Sequence, residues 1–206
     1  MLKLYLARHG QNEDNAEGVL NGHRDRPLTE KGMEQAHEVA DKIKESGIHF
    51  SHILTSPLIR AHTTADIIAK KVNFDGKVEV EPLLIERDFG VMTGVEQKRI
   101  EELCAPDILK TATVTYFLSP KNAETFPDLL KRAKKLFSTL KERFQDGDIL
   151  LVSHGDFGKM LYAAFYDLPW ESVLKDFHFG NSELLLMSDD SPPDDTHVFR
   201  IQQHNH

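Results

Sequence analysis

The chain has 206 residues, a formal net charge of −8, 40% hydrophobic and 28% charged residues. That length suits one compact domain whose core needs no metal or disulfide staple. The acidic balance argues against a nucleic-acid backbone or an anionic membrane as the main partner, but it is compatible with a locally cationic pocket for a small anion. A single cysteine, Cys104, excludes an internal disulfide framework. No apolar run approaches the length of a membrane span, and Arg8-His9 interrupts the apolar start too early for a signal peptide, so the expected location is cytoplasmic.

Lys3 to Ala7 is short and apolar and ends at polar residues and Gly10, the pattern of a buried strand. Residues 11–26 are polar, with Gly18, Asn21 and Gly22 marking a loop. Thr29 reads as the N-cap of a helix with Met33, Ala36, Ala40 and Ile43 at helical spacing, ended by Gly47. His52 to Thr55 is a second strand, and Pro57 is read as opening a helix through Ala61, Ala65, Ile68 and Ala69. Val78 to Val80 predicts a third strand leading to Glu86, and Glu96 to Leu103 a charged helix.

Pro106, Pro120 and Asn122 are turn signals within the least regular stretch, 90–127. A long amphipathic helix follows from about Phe126 to Phe144, with Leu129, Leu130, Ala133, Leu136, Phe137 and Leu140 on one face. Asp148 to Ser153 carries Ile-Leu-Leu-Val, the composition of a parallel strand buried on both faces. A helix over Phe157 to Tyr166 and strands at Glu183 to Met187 and near Val198 to Ile201 complete the reading, with a surface turn at residues 191–195 and Trp170 as a loop anchor. No internal repeat or linker is evident. Strands alternating with helices predict an α/β fold, largely parallel, with functional residues at the carboxyl ends of the strands.

Four stretches share that position: Arg8-His9-Gly10, Ser56-Pro57-Leu58-Ile59-Arg60, Glu86 and Ser153-His154-Gly155. Each alone has an ordinary explanation as a loop, a helix start or a surface carboxylate. Brought together in one crevice, they form a coherent phosphoryl-transfer set. Guanidinium forks match phosphate oxygens and keep their charge. A neutral imidazole is a nucleophile at phosphorus, a second imidazole can stabilise equatorial oxygens, and a carboxylic acid can protonate a leaving group.

Over nearly its whole length the chain resembles the histidine phosphatase superfamily, also called the phosphoglycerate mutase-like family. The matching residues are Leu6-Ala7-Arg8-His9-Gly10-Gln11, Asn15, Asn21-Gly22-His23 with Asp25, and Pro27-Leu28-Thr29-Glu30-Lys31-Gly32. They continue with Thr55-Ser56-Pro57-Leu58-Ile59-Arg60-Ala61, Thr64-Ala65, Glu86-Arg87-Asp88-Phe89-Gly90 with Gly94, Glu124-Thr125-Phe126, and Val152-Ser153-His154-Gly155. The resemblance implies a three-layer α/β sandwich with a mostly parallel central sheet, formed by one domain over 1–206 with a lid insertion at about 91–125. It implies His9 as the phosphorylated nucleophile, Arg8, Arg60 and His154 as the phosphate pocket and Glu86 as the proton donor. Asn15 would contact the transferred phosphoryl group, while Asn21, Gly22 and Arg87 would line the substrate side.

Departures occur at Asp156, where relatives often have glycine or asparagine, at Met92-Thr93 and at Ala123. A carboxylate at 156 would disfavour some anionic substrates. Relatives that are mutases carry adjacent arginines in the lid, whereas here no arginine lies between Ile100 and Lys131 and only Lys110 and Lys121 are cationic. The expectation is therefore a metal-independent phosphomonoesterase without cofactor, acting on a small phosphorylated metabolite whose body is partly apolar or uncharged, and releasing inorganic phosphate. Monomer and homodimer both fit. Mutase-type transfer and a weakly active scaffold protein are the alternatives. A metal hydrolase is disfavoured because His197, His204 and His206 fall in the tail and no HExxH or CxxC spacing occurs.

Overall fold

The structure is a computed structural model that describes residues 1–199. In chain order its elements are β1 (Leu2–Arg8), α1 (Glu13–Glu17), α2 (Glu30–Glu45), β2 (His52–Thr55), α3 (Ile59–Lys71), β3 (Val78–Val80), α4 (Ile100–Cys104), β4 (Ile108–Lys110), β5 (Thr115–Phe117), α5 (Phe126–Arg143), β6 (Gly147–Ser153), α6 (Gly155–Tyr166), α7 (Trp170–Asp176) and β7 (Leu184–Met187). Five strands form one sheet in the order β3-β2-β6-β1-β7, and β4 and β5 pair as a separate antiparallel hairpin. The four strands from β3 to β1 are parallel, and β7 runs antiparallel beside β1.

Successive residues of a strand point to opposite faces of the sheet, and the core divides accordingly. Leu4, Leu6, Ile149 and Leu151 pack under α5, α6 and α7. Tyr5, Ala7, Leu150 and Val152 pack under α2 and α3. The result is a helix–sheet–helix sandwich. Ile149 to Val152 are fully buried, as a central parallel strand with both faces covered requires. A third, smaller cluster of Leu20, Phe89, Met92, Ile100 and Phe117 holds the irregular segment and the β4–β5 hairpin beside the sheet.

Local signals set most helix starts. Thr29 caps α2 by accepting the Gly32 amide at 3.1 Å, and Thr125 caps α5 through the Asp128 amide. The second helix starts later than Pro57 implies, at Ile59. Its cap comes from a distant residue: Asp25 accepts the Ile59 amide at 2.6 Å while Leu58 stays extended. Between 96 and 104 a 3-10 turn at Gln97–Arg99 precedes the short α4, so the expected Glu96 to Leu103 helix is only half realised. The loop segment pairs there instead: Glu96 bridges to Val19, and the Gln97 amide donates to the Gly18 carbonyl.

Within the expected 11–26 loop, Asn12 caps the short α1. Trp170, expected in a loop, begins α7 and stacks on Phe126 with ring centroids 5.5 Å apart. Of the last expected strand, only a bridge between His197 and Leu185 is seen, and residues 200–201 lie outside the described residues. Among the described residues no helix is long and apolar enough to cross a membrane.

One close approach ties this frame to the segment after β1. A Cβ on Gly10 would collide with the Gly32 carbonyl oxygen, and one on Gly32 with the Gln11 carbonyl oxygen, so the first turn of α2 lies directly against the backbone following His9. Gly32→Ala is expected to lower stability by about 1–3 kcal/mol and to reduce turnover by shifting that backbone. A denaturant midpoint measured alongside a rate checks both effects.

Candidate active site

The register of β1 and β6 pairs Arg8 with Ser153. The His9 amide extends this pairing by donating to the Ser153 carbonyl at 3.1 Å. Both strands end here, so His9 and His154 emerge side by side, their rings 5.0 Å apart at 62°. The β2 end joins them: the Ser56 amide donates to the Val152 carbonyl, and the Ser56 hydroxyl lies 2.7 Å from His154 Nε2. Ser153 also reaches sideways, its hydroxyl donating to the Leu84 carbonyl at 2.7 Å and fixing the chain that leads to Glu86.

The His9 ring is oriented by its Nδ1, 2.6 Å from the Gly10 carbonyl. A carbonyl only accepts, so Nδ1 carries the proton and the lone pair lies on Nε2. The Arg60 Nε–H donates to that Nε2 at 3.2 Å. Burial, then the Arg60 and Arg8 charges, hold the His9 pKa well below that of a free imidazole. The same causes, with Arg60 again the leading charge, depress His154. Both rings are therefore neutral at neutral pH, which leaves His9 Nε2 a free base with cations around it.

The arginines are held by backbone carbonyls rather than by carboxylates. Arg60 donates to the Gly22 and Arg24 carbonyls at 2.9 and 2.7 Å, and Arg8 to the Phe179 carbonyl at 2.7 Å. Gly155 lets α6 approach Arg8, since a Cβ there would sit 3.3 Å from the guanidinium carbon. Glu86, also buried, accepts the backbone amides of Arg87 at 2.8 Å, Phe157 at 3.0 Å and Asp156 at 3.4 Å, capping α6 from outside the helix.

A cavity of about 330 Å³ opens from this cluster. Arg8, His9, Asn15, Asn21, Glu86 and Arg87 line it, while Arg60 and His154 adjoin His9 without lining the cavity themselves. Of the residues expected on the substrate side, Gly22 is not in the cavity wall. At φ +49° it turns its carbonyl to Arg60 and packs beneath Phe89.

Several further residues, given no catalytic or binding role by the sequence reading, shape the site. Tyr116 and Lys159 line the cavity. Asn181 donates to the His9 carbonyl at 2.8 Å. Arg132 binds Glu124 with two nitrogens and also donates to the Leu83, Ile85 and Glu86 carbonyls, bracing the Glu86 segment. Asp156 and Lys159 carried a readable signal: three positions apart on α6, they share a face. Cys104 is half-buried, its Sγ 3.5 Å from Met92 Sδ and away from the cavity. Among the described residues no group of three or more His, Cys, Asp or Glu could hold a metal ion, and His204 and His206 lie outside them.

A model of the histidine phosphatase superfamily (branch 1) matches residues 4–190. The chain belongs to that superfamily. A 2,3-bisphosphoglycerate-dependent phosphoglycerate mutase of Rhodopseudomonas palustris (strain BisB18) is 30% identical over 175 residues, covering 84% of each chain. Among solved structures, a mycobacterial glucosyl-3-phosphoglycerate phosphatase with VO3 superposes with a TM-score of 0.77 at 26% identity, covering 91% of this chain and 93% of that one. The phosphoserine phosphatase of Entamoeba histolytica in complex with 3-phosphoglyceric acid gives a TM-score of 0.71 at 26% identity over 100% of both chains. The superfamily and these neighbours support a phosphoryl-transfer enzyme.

Depressed imidazoles leave a mark on stability. Below about pH 6.5 the unfolded chain protonates His9 and His154 while the folded chain does not, so stability falls as pH drops, by up to about 1.4 kcal/mol per pH unit for each histidine. Asp156 acts in the opposite sense, because burial pushes its carboxyl up to about 6. The readout is therefore a difference: His9→Asn and His154→Asn are each expected to lose less stability between pH 7 and pH 5 than the parent in parallel urea titrations.

Proposed function

We propose that the protein is a phosphomonoesterase that hydrolyses a small phosphorylated metabolite through a phosphohistidine on His9. The observation that carries this reading is the His9 ring itself: Nδ1 engaged by the Gly10 carbonyl, Nε2 unprotonated and faced by Arg60. In the first step the Nε2 lone pair attacks phosphorus, the phosphorus–oxygen ester bond breaks, and Glu86 in its acid form protonates the departing oxygen. Arg8, Arg60 and His154 hold the equatorial oxygens, with Asn15 beside them and Asn21 and Arg87 towards the substrate body. In the second step water attacks phosphorus, gives its proton to Glu86, and the phosphorus–nitrogen bond breaks to release inorganic phosphate. No metal or cofactor enters either step.

Residues 91–125 act in this reading as the lid, since the hairpin supplies Thr115, Tyr116 and Phe117 to the cavity wall. Hydrolysis is favoured over transfer to a second phosphorylated acid because the stretch from Ile100 to Lys131 contains no arginine. The phosphatase names of the structural neighbours agree. Mutase-type transfer is the second reading, supported by the name of the Rhodopseudomonas palustris relative.

His9→Ala is expected to abolish turnover, and labelled phosphate from a substrate ester should be trapped on His9 of the parent when quenched without acid. Phosphoglycerate mutase activity exceeding hydrolysis across a panel of phosphomonoesters would reverse the order of the two readings. For the acid, Glu86→Gln should cost roughly 100- to 10,000-fold with alkyl phosphates and much less with nitrophenyl phosphate, whose leaving group needs little protonation. Equal losses on both substrates would remove Glu86 from the role.

A further inference from the structure

Away from the phosphate end, the cavity wall carries a second polar group that the phosphohistidine chemistry leaves unused. Lys159, on α6, is buried and donates to the Tyr116 hydroxyl of the hairpin at 2.6 Å. With its oxygen accepting from an ammonium, the Tyr116 hydroxyl is left to donate its own proton. Arg87 lies alongside, its guanidinium stacked on Phe117 and Phe126 at 4.1 and 4.2 Å and anchored by one bond from Nη2 to the Phe117 carbonyl. Its Nε and Nη1 are buried without a hydrogen-bond partner among the described residues. Asp156 is the one acceptor in the group, its Oδ2 3.4 Å from Arg87 Nη1. All four residues line the same cavity as His9.

Donors outnumber acceptors here. Arg87 presents three N–H groups on its two nitrogens without a hydrogen-bond partner, Lys159 two beyond its bond to Tyr116, and Tyr116 one O–H, against a single carboxylate. The formal charge is two cations to one anion. Buried donors without partners are costly, and a planar, doubly accepting anion satisfies such a set better than a hydroxyl or an apolar group. We propose that Lys159, Tyr116 and Arg87 form a carboxylate-binding subsite, so that the substrate is a phosphomonoester bearing a carboxylate, with Asp156 tempering the affinity.

This deepens the phosphomonoesterase reading and rests on it. It also revises the expectation drawn from the cation-poor 100–131 stretch, because the cation comes from α6 instead. The partners of Asp156 support its tempering role. Burial pushes its carboxyl up to about 6, Arg87 pulls it down, Glu86 raises it, and Lys159 and Arg8 lower it. Burial likewise lowers Lys159 to about 8, which leaves it largely charged at neutral pH.

Two matched pairs test the subsite: 3-phosphoglycerate against glycerol 3-phosphate, and phosphoserine against phosphoethanolamine. The parent should prefer the carboxylate member of at least one pair. Lys159→Met should lower kcat/KM for that member by about 10- to 100-fold, mainly through KM, and leave its partner and nitrophenyl phosphate within about threefold. Tyr116→Phe, which keeps the ring, should act in the same direction more weakly, and Asp156→Asn should lower KM for the carboxylate ester. No preference in either pair, or equal losses on both members, would overturn the proposal. Calorimetric binding of the same four esters to His9→Ala separates the two readings. A carboxylate preference in binding without turnover by the parent would sink the phosphatase assignment and keep the subsite.

Discussion

The bond from the His9 amide to the Ser153 carbonyl carries the pairing of β1 and β6 one residue beyond the sheet, and the site depends on it. Parallel strands in register must end together. Two imidazoles that are 145 positions apart in the sequence (residues 9 and 154) are thereby brought to a ring separation of 5.0 Å. The β2 end enters through the same lattice, with Ser56 bonded to both the Val152 carbonyl and the His154 ring. A slip in this register would separate the histidines and also turn each strand's apolar residues to the wrong face, so folding and site assembly are one constraint.

The second constraint is the burial of cations. Arg8, Arg60 and Arg87 are all nearly inaccessible, and of the three Arg87 alone has a carboxylate within ion-pair distance among the described residues, Asp156 at 3.4 Å, whereas a tightly held ionic partner at each would cancel the charge the proposed chemistry needs. Backbone carbonyls solve this by accepting hydrogen bonds without supplying a full negative charge. Arg60 takes the carbonyls of Gly22 and Arg24, Arg8 that of Phe179, and Arg87 that of Phe117. Each guanidinium therefore also pins the loop or hairpin that satisfies it. The positive field that adds to burial in keeping His9 neutral and the conformation of the surrounding segments have a common origin.

Those two constraints explain what could be read in the sequence. The β1, β2 and β6 segments have strong apolar patterns, and the candidate residues sit at their carboxyl ends or, for Arg60, in the first turn of the helix after β2, so Arg8, His9, Arg60 and His154 are legible as a set. Thr29 and Thr125 advertised their helices by capping. By contrast, α1, α7 and the β4–β5 hairpin are short and depend on contacts far along the chain, such as Trp170 on Phe126 and Phe117 on Phe89. The start of α3 is not legible from Pro57 because its cap, Asp25, lies 34 residues away. Lys159 is not legible from the sequence because, Asp156 apart, α6 is a mostly apolar, buried helix, and the partner that satisfies the lysine, Tyr116, lies 43 residues away.

The walls of the cavity thus differ in how freely they can change. Residues at the strand ends are locked by sheet register and by carbonyls on several loops, so altering one disturbs the frame. The opposing wall is built from the first two turns of α6 and from a two-stranded hairpin resting on a small cluster of its own, Leu20, Phe89, Met92, Ile100 and Phe117. Substitutions there alter donors and acceptors facing the cavity without touching the β1–β6 pairing. In the proposed reading, phosphoryl chemistry and selection of the group attached to it consequently fall to different structural layers. Glu86 joins them, because its carboxylate faces the cavity while accepting the first free amides of α6. Any repositioning of α6 that changes how Asp156 and Lys159 meet a ligand must therefore also move the carboxylate assigned to protonate the leaving oxygen.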